Sequence, residues 1–79
     1  MYKSKRIIAV VPAYNEGIRI GRVVERTDFR LIDHLLVVDD ASTDRTADIA
    51  RRRGADVLTL QQRSGVGAAI RAGIQFGRD

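Results

Sequence analysis

Apolar residues follow two alternating rhythms along this chain. Continuous β-rich runs, Ile7 to Val11, Leu35 to Val38 and Val57 to Leu60, alternate with stretches whose apolar positions fall three and four residues apart. An unbroken apolar run of this length suits a strand covered on both faces, and i, i+3, i+4, i+7 spacing marks an amphipathic helix. The first helix is predicted from Ile20, Val23, Val24 and Thr27. The second follows the polar stretch Asp39 to Asp44. Ser42 or Thr43 would be its N-cap, Asp44 would sit in its first turn, and Gly54 would be the C′ residue after Arg53. The third carries Val66, Ala69, Ile70, Gly73 and Ile74 on one face and closes at Gly77. Pro12, which lacks an N–H, is expected to stop the first strand.

Strands alternating with helices predict an α/β class: three consecutive βα units forming a parallel, Rossmann-like sheet with right-handed crossovers. In open sheets of this kind ligands bind outside the carboxyl ends of the strands. The candidate chemistry therefore sits in three loops: Pro12 to Glu16, Asp39 to Asp44, and Gln61 to Gly67.

Size and charge narrow what those loops can do. Seventy-nine residues support one small domain. The chain has no cysteine and one histidine, so neither disulfides nor a zinc cluster staples it. Absence of cysteine fits a reducing compartment. Net charge is +4. Arg51-Arg52-Arg53 reads as a solvated helix end, and the four aromatic residues do not interleave with basic ones as a nucleic-acid surface would require. A modest positive balance suits a phosphate-bearing small ligand. No apolar run approaches the roughly 20 residues of a membrane span, and Ile7 to Val11 is too short for a secretory signal.

In the first loop, Tyr14 offers a flat face for stacking and a hydroxyl, and Glu16 can accept from ribose hydroxyls. The plainer alternative is a polar turn with Asn15 or Glu16 at the helix start. In the second, adjacent side chains on a strand point to opposite faces, so Asp39 and Asp40 cannot both chelate one metal. One would face the pocket and accept from a base ring N–H; the other would bond local amides, as in an Asx turn. In the third, Ser64-Gly65-Val66-Gly67 could bring backbone N–H groups to a phosphate, or could serve close helix–sheet packing. It is neither a dinucleotide fingerprint nor a P-loop. Arg63 and Arg71 flank it and could reach phosphates or be solvated. His34 has no nucleophile beside it and reads as a surface or loop residue.

Taken together and in order, Val11-Pro12-Ala13-Tyr14-Asn15-Glu16, then Val38-Asp39-Asp40-Ala41-Ser42-Thr43-Asp44-Arg45-Thr46, then Gly65-Val66-Gly67-Ala68-Ala69-Ile70-Arg71-Ala72-Gly73, resemble the opening of a family 2 glycosyltransferase. The Pro-Ala-Tyr-Asn-Glu form is most similar to dolichyl- and polyprenyl-phosphate sugar synthases. The resemblance implies a GT-A fold that binds a UDP- or GDP-sugar. It implies that Pro12, Tyr14 and Glu16 line base and ribose, that Val38 and Asp40 contact the base with Asp39 beside them, and that Gly65 lies near the diphosphate, with Arg71 a further candidate. It also implies a divalent cation, Mg²⁺ or Mn²⁺, held by an Asp-x-Asp motif, which does not occur before the sequence closes at Asp79. On this reading residues 1–79 are a partial domain, the nucleotide-binding half of a longer sugar transferase. The piece itself is expected to hold no metal and to be inactive.

Two other classes compete. One is a receiver-like or flavodoxin-like module binding Mg²⁺ through Asp39-Asp40, although a receiver carries its acid pair after the first strand. The other is a piece that only self-assembles, as a homodimer or higher assembly through an exposed sheet edge. A cytoplasmic location is expected, with the parent on the cytoplasmic face of a membrane.

Overall fold

The computed structural model describes residues 7–78. Strands β1 (Ile8–Ala13), β2 (His34–Asp39) and β3 (Asp56–Thr59) alternate with helices α1 (Gly17–Arg26), α2 (Thr46–Arg52) and α3 (Val66–Arg78). The strands form one parallel sheet in the order β1-β2-β3. This is the α/β architecture that the alternating rhythms imply.

Strand alternation divides the core in two. Ala9, Val11, Ala13, Leu35, Val37 and Val57 pack with Ile20 and Val24 of α1 and Ala50 of α2. Ile8, Val10, Leu36, Val38 and Leu58 pack with Ala69 of α3. Helices α1 and α2 therefore cover one face and α3 the other. Central β2 is buried from Leu35 to Asp39.

Three local expectations change. Pro12 does not end β1; it pairs in register with Val38, and the strand runs on to Ala13. The reason is backbone parity. The carbonyls of Ile7 and Ala13 accept from Asp33 and Asp40 on the β2 side, so odd-numbered backbone groups face β2 and Pro12 faces the open edge. A missing N–H there breaks no ladder bond.

On α1, Val23 is exposed, and the buried stripe is Gly17, Ile20, Gly21 and Val24. A Cβ on Gly21 would come within 3.2 Å of Ile49 Cγ2, so the bare backbone lets α2 approach and rotates the buried face toward the glycines. On α3, Ala69 and Gly73 touch the sheet, while Val66, Ile70 and Ile74 lie on an exposed flank and Gly77 stays helical. Small residues seat this helix, and its larger apolar side chains fall outside the contact. Gly54 holds φ +106° after α2, the left-handed value a C′ residue needs.

Candidate functional site

The carboxyl ends of β1 and β2 lie side by side, because Ala13 is in register with Asp39. The loops that follow are stitched together. Asn15 donates its N–H to Ser42 Oγ at 2.9 Å, and its Oδ1 accepts from Thr43 N–H at 2.8 Å and Asp44 N–H at 3.3 Å. Glu16 N–H donates to Thr46 Oγ1 at 2.9 Å and Gly17 N–H to Asp44 Oδ2 at 3.2 Å. The second loop thus caps α1, whose own N-cap, Glu16, supplies no side-chain bond. Neither Ser42 nor Thr43 caps α2. Asp44 takes the Thr46 N–H and hydroxyl instead. The Thr46 hydroxyl is the main cause that holds the Asp44 carboxyl below the ordinary range. Asn15 and Ala41 sit at φ +50° and +61°, left-handed values more costly for alanine than for asparagine.

Asp39 and Asp40 part company as strand alternation requires. Asp39 turns toward the α1/α2 layer, and its Oδ1 accepts Ser42 N–H at 3.1 Å. Asp40 turns toward α3 and gathers the third loop. Ser64 N–H donates at 2.7 Å, Gly65 N–H at 2.9 Å, and the Arg63 guanidinium makes an ion pair. Gly65 reaches this carboxylate at φ +90°, a backbone state cheap only for glycine. Asp40 is 2% exposed. Burial alone would raise its pKa, but the two amides and Arg63 outweigh burial and hold it below the usual carboxylate range. The glycine loop therefore presents its N–H groups to a protein carboxylate.

Arg63 also lies over the Tyr14 ring, 3.8 Å from its centroid. Pro12, Ala13, Tyr14, Glu16, Asp40, Arg63 and Val66 enclose a cavity of about 230 Å³ at the strand ends. A roomier hollow of about 460 Å³ lies across the first loop, against Ile18, Arg19 and Asp44. Its floor is the start of α1, whose Glu16 and Gly17 N–H groups are already satisfied. Of these two, the cavity containing Asp40 brings an aromatic ring, two carboxylates and a guanidinium together.

Of the residues expected from sequence, Pro12, Tyr14, Glu16 and Asp40 meet at this cavity. The other four do not line it. Val38 is fully buried in the α3-side core, so its side chain is not offered to a base. Asp39 is engaged in its own turn, and Gly65 positions Asp40. Arg71 is exposed, with its guanidinium beside Gly67. Arg63, and not Arg71, lines this cavity. The signal lay in the geometry: α3 runs away from the strand ends at about 1.5 Å per residue, so Arg71 is about 7.5 Å along it.

The family model for glycosyl transferase family 2 matches residues 8–79. The chain belongs to glycosyl transferase family 2. It is 36% identical over 87 residues to dodecaprenyl-phosphate galacturonate synthase of Rhizobium johnstonii, covering 96% of this chain and 26% of that protein. It is 33% identical to human dolichyl-phosphate beta-glucosyltransferase, covering 90% and 27%. Glucosyl-3-phosphoglycerate synthase of Mycobacterium tuberculosis superposes with a TM-score of 0.76 at 32% identity, over 89% of this chain and 30% of that one. Its complex with Mn²⁺, UDP-glucose and glycerol 3-phosphate gives 0.74 at 34% identity, over 84% and 27%. The chain thus spans between about a quarter and a third of these relatives' length.

Within this family 2 domain the two adjacent carboxylates at the end of β2 do not share one cation. Asp39 and Asp40 point to opposite layers, each held by backbone amides, and no three Asp, Glu or His side chains converge among the described residues. The same divergence, with the family match, removes the receiver-like alternative. His34 opens β2, partly exposed, 3.4 Å from Asp56 at the opposite end of the sheet. No helix among the described residues is long and apolar enough to cross a membrane.

Proposed function

We propose that this chain is the nucleotide-binding part of a sugar transferase and takes the base and ribose of a UDP- or GDP-sugar in the Asp40 cavity. The observation that carries the reading is the convergence of Tyr14, Asp40 and Arg63 at the strand ends. A buried, ionised carboxylate with one lone pair left on Oδ1 accepts from a ring N–H, which uracil and guanine have and adenine and cytosine lack. Tyr14 supplies an aromatic wall, Glu16 an acceptor for ribose hydroxyls, and Arg63 unused N–H donors for the diphosphate. The parent protein would pass the sugar to a lipid phosphate or a saccharide. Its divalent cation would be held by residues outside those described. Residues 1–79 would form one partial domain that recognises the donor without transferring from it.

Calorimetric titration tests this. UDP and GDP are expected to bind, with little change on adding Mn²⁺, while ADP and CDP bind at least tenfold more weakly. Equal affinity for all four would discard base reading by Asp40.

We also propose that copies of the chain pair through the outer edge of β1, where Ile8 and Val10 have no strand partner among the described residues. Sedimentation at rising concentration should show monomer passing to dimer; a monomer at every concentration would rule the pairing out.

A further inference from the structure

We propose that the outer face of α1, with the turn that follows it, docks on an anionic lipid surface. This face lies outside the Asp40 cavity. Gly17, Ile20, Gly21 and Val24 face the sheet and α2. At 100° per residue, Arg19, Arg22 and Arg26 then fall within a wedge of about 60° on the opposite side. Ile18 and Val23 flank that wedge, and Ile18 is 79% exposed. The following turn continues the composition with exposed Phe29, Arg30 and Leu31, the last 70% exposed.

The charges there are not all spoken for. Arg19 pairs with Glu16 and Arg30 with Asp28. Arg22 and Arg26 have no carboxylate partner among the described residues. Arginines interleaved with exposed aliphatic side chains match a surface of phosphates over hydrocarbon. A protein partner would instead meet an apolar centre inside a polar rim. A nucleic acid would be served by aromatic platforms, and this face has only Phe29. Because the apolar stripe of α1 is committed to the core, contact with lipid is shallow and salt-sensitive. The loop Tyr14 to Glu16 leads directly into α1, so docking by this face holds the nucleotide cavity beside the surface.

Co-sedimentation of the full chain with vesicles decides it. Phosphatidylcholine vesicles containing phosphatidylglycerol should pellet the protein, pure phosphatidylcholine vesicles should not, and added salt should release it. Each basic residue near an anionic surface is worth about fivefold, so the double variant Arg22→Glu, Arg26→Glu should bind about thirtyfold more weakly or worse. Ile18→Ser, at an exposed position, should weaken binding while leaving the salt dependence unchanged, with unaltered circular dichroism. It also serves if the double variant does not fold. No binding to anionic vesicles overturns the proposal. So does undiminished binding by the folded double variant, which retains Lys3, Lys5 and Arg6. So does capture by a DNA duplex with no affinity for vesicles.

Discussion

Gly73→Ala is expected to lower the melting temperature by roughly 5–20 °C, whereas Gly67→Ala on the same helix should leave it unchanged or raise it. The chemical change is identical and the surroundings decide the sign. Alanine in a helix interior gains up to about 1 kcal/mol over glycine. At Gly67 the new methyl would meet only Arg71 Nη1 at 3.6 Å, an ordinary contact with the tip of a flexible side chain. At Gly73 it would lie 2.5 Å from Val10 Cγ1 and 2.8 Å from Val38 Cγ2. Both valines are stiff at χ1 and stand on paired strands, and Val38 is fully buried, so neither can swing away. Overpacking of this kind costs about 1–3 kcal/mol or more, which exceeds the gain in helix propensity. Thermal melts of the two variants in parallel provide the measurement. A Gly73→Ala protein as stable as its parent would mean that α3 does not sit this close to the sheet.

The second large effect is expected from Asp40→Asn. Asp40 receives two backbone N–H groups and a guanidinium, and an amide in its place would turn its own N–H₂ toward donors. The third loop would lose its anchor, and affinity for UDP or GDP should fall about ten- to hundredfold, the usual worth of a hydrogen bond to a charged group. Calorimetry reads that loss, while Arg63→Gln, which spares the two amide bonds, separates the contribution of the ion pair. Acid tolerance offers an independent readout. The folded-state pKa values of Asp40 and Asp44 are lowered, so the stability they confer is fully present above the unfolded value of about 4 and disappears as pH falls through the lower folded values. The parent should therefore hold its melting temperature from neutrality down to about pH 5 and lose it steeply below about pH 4. Asp40→Asn should lose less on that acid limb. An unchanged acid limb, together with unchanged nucleotide affinity, would remove Asp40 from both roles.

The order of elements was legible because unbroken apolar runs and a 3.6-residue period leave different marks on sequence, and strand alternation alone separated Asp39 from Asp40. What escaped was whatever depended on neighbours. Val23 obeys helical spacing as well as Val24 does, but two glycines on the opposite flank draw α2 inward and settle which of them is buried. Pro12 looks like a terminator until the pairing direction of its strand is known. Arg63 and Arg71 are equally charged, and only the direction of α3 distinguishes them. The stitching of Asn15 to Ser42, Thr43 and Asp44 spans nearly thirty residues and follows from the register of Ala13 with Asp39. A linear pattern does not contain that register.

Pro12 has a consequence for the shape of the ligand mouth. The free side of β1 is graded: it offers N–H groups at Ile8 and Val10 and none at Pro12, the residue that borders the cavity. Pro12 keeps its carbonyl on that side but has no N–H, so a strand laid along this edge would gain one backbone hydrogen bond fewer beside the cavity than it gains further back.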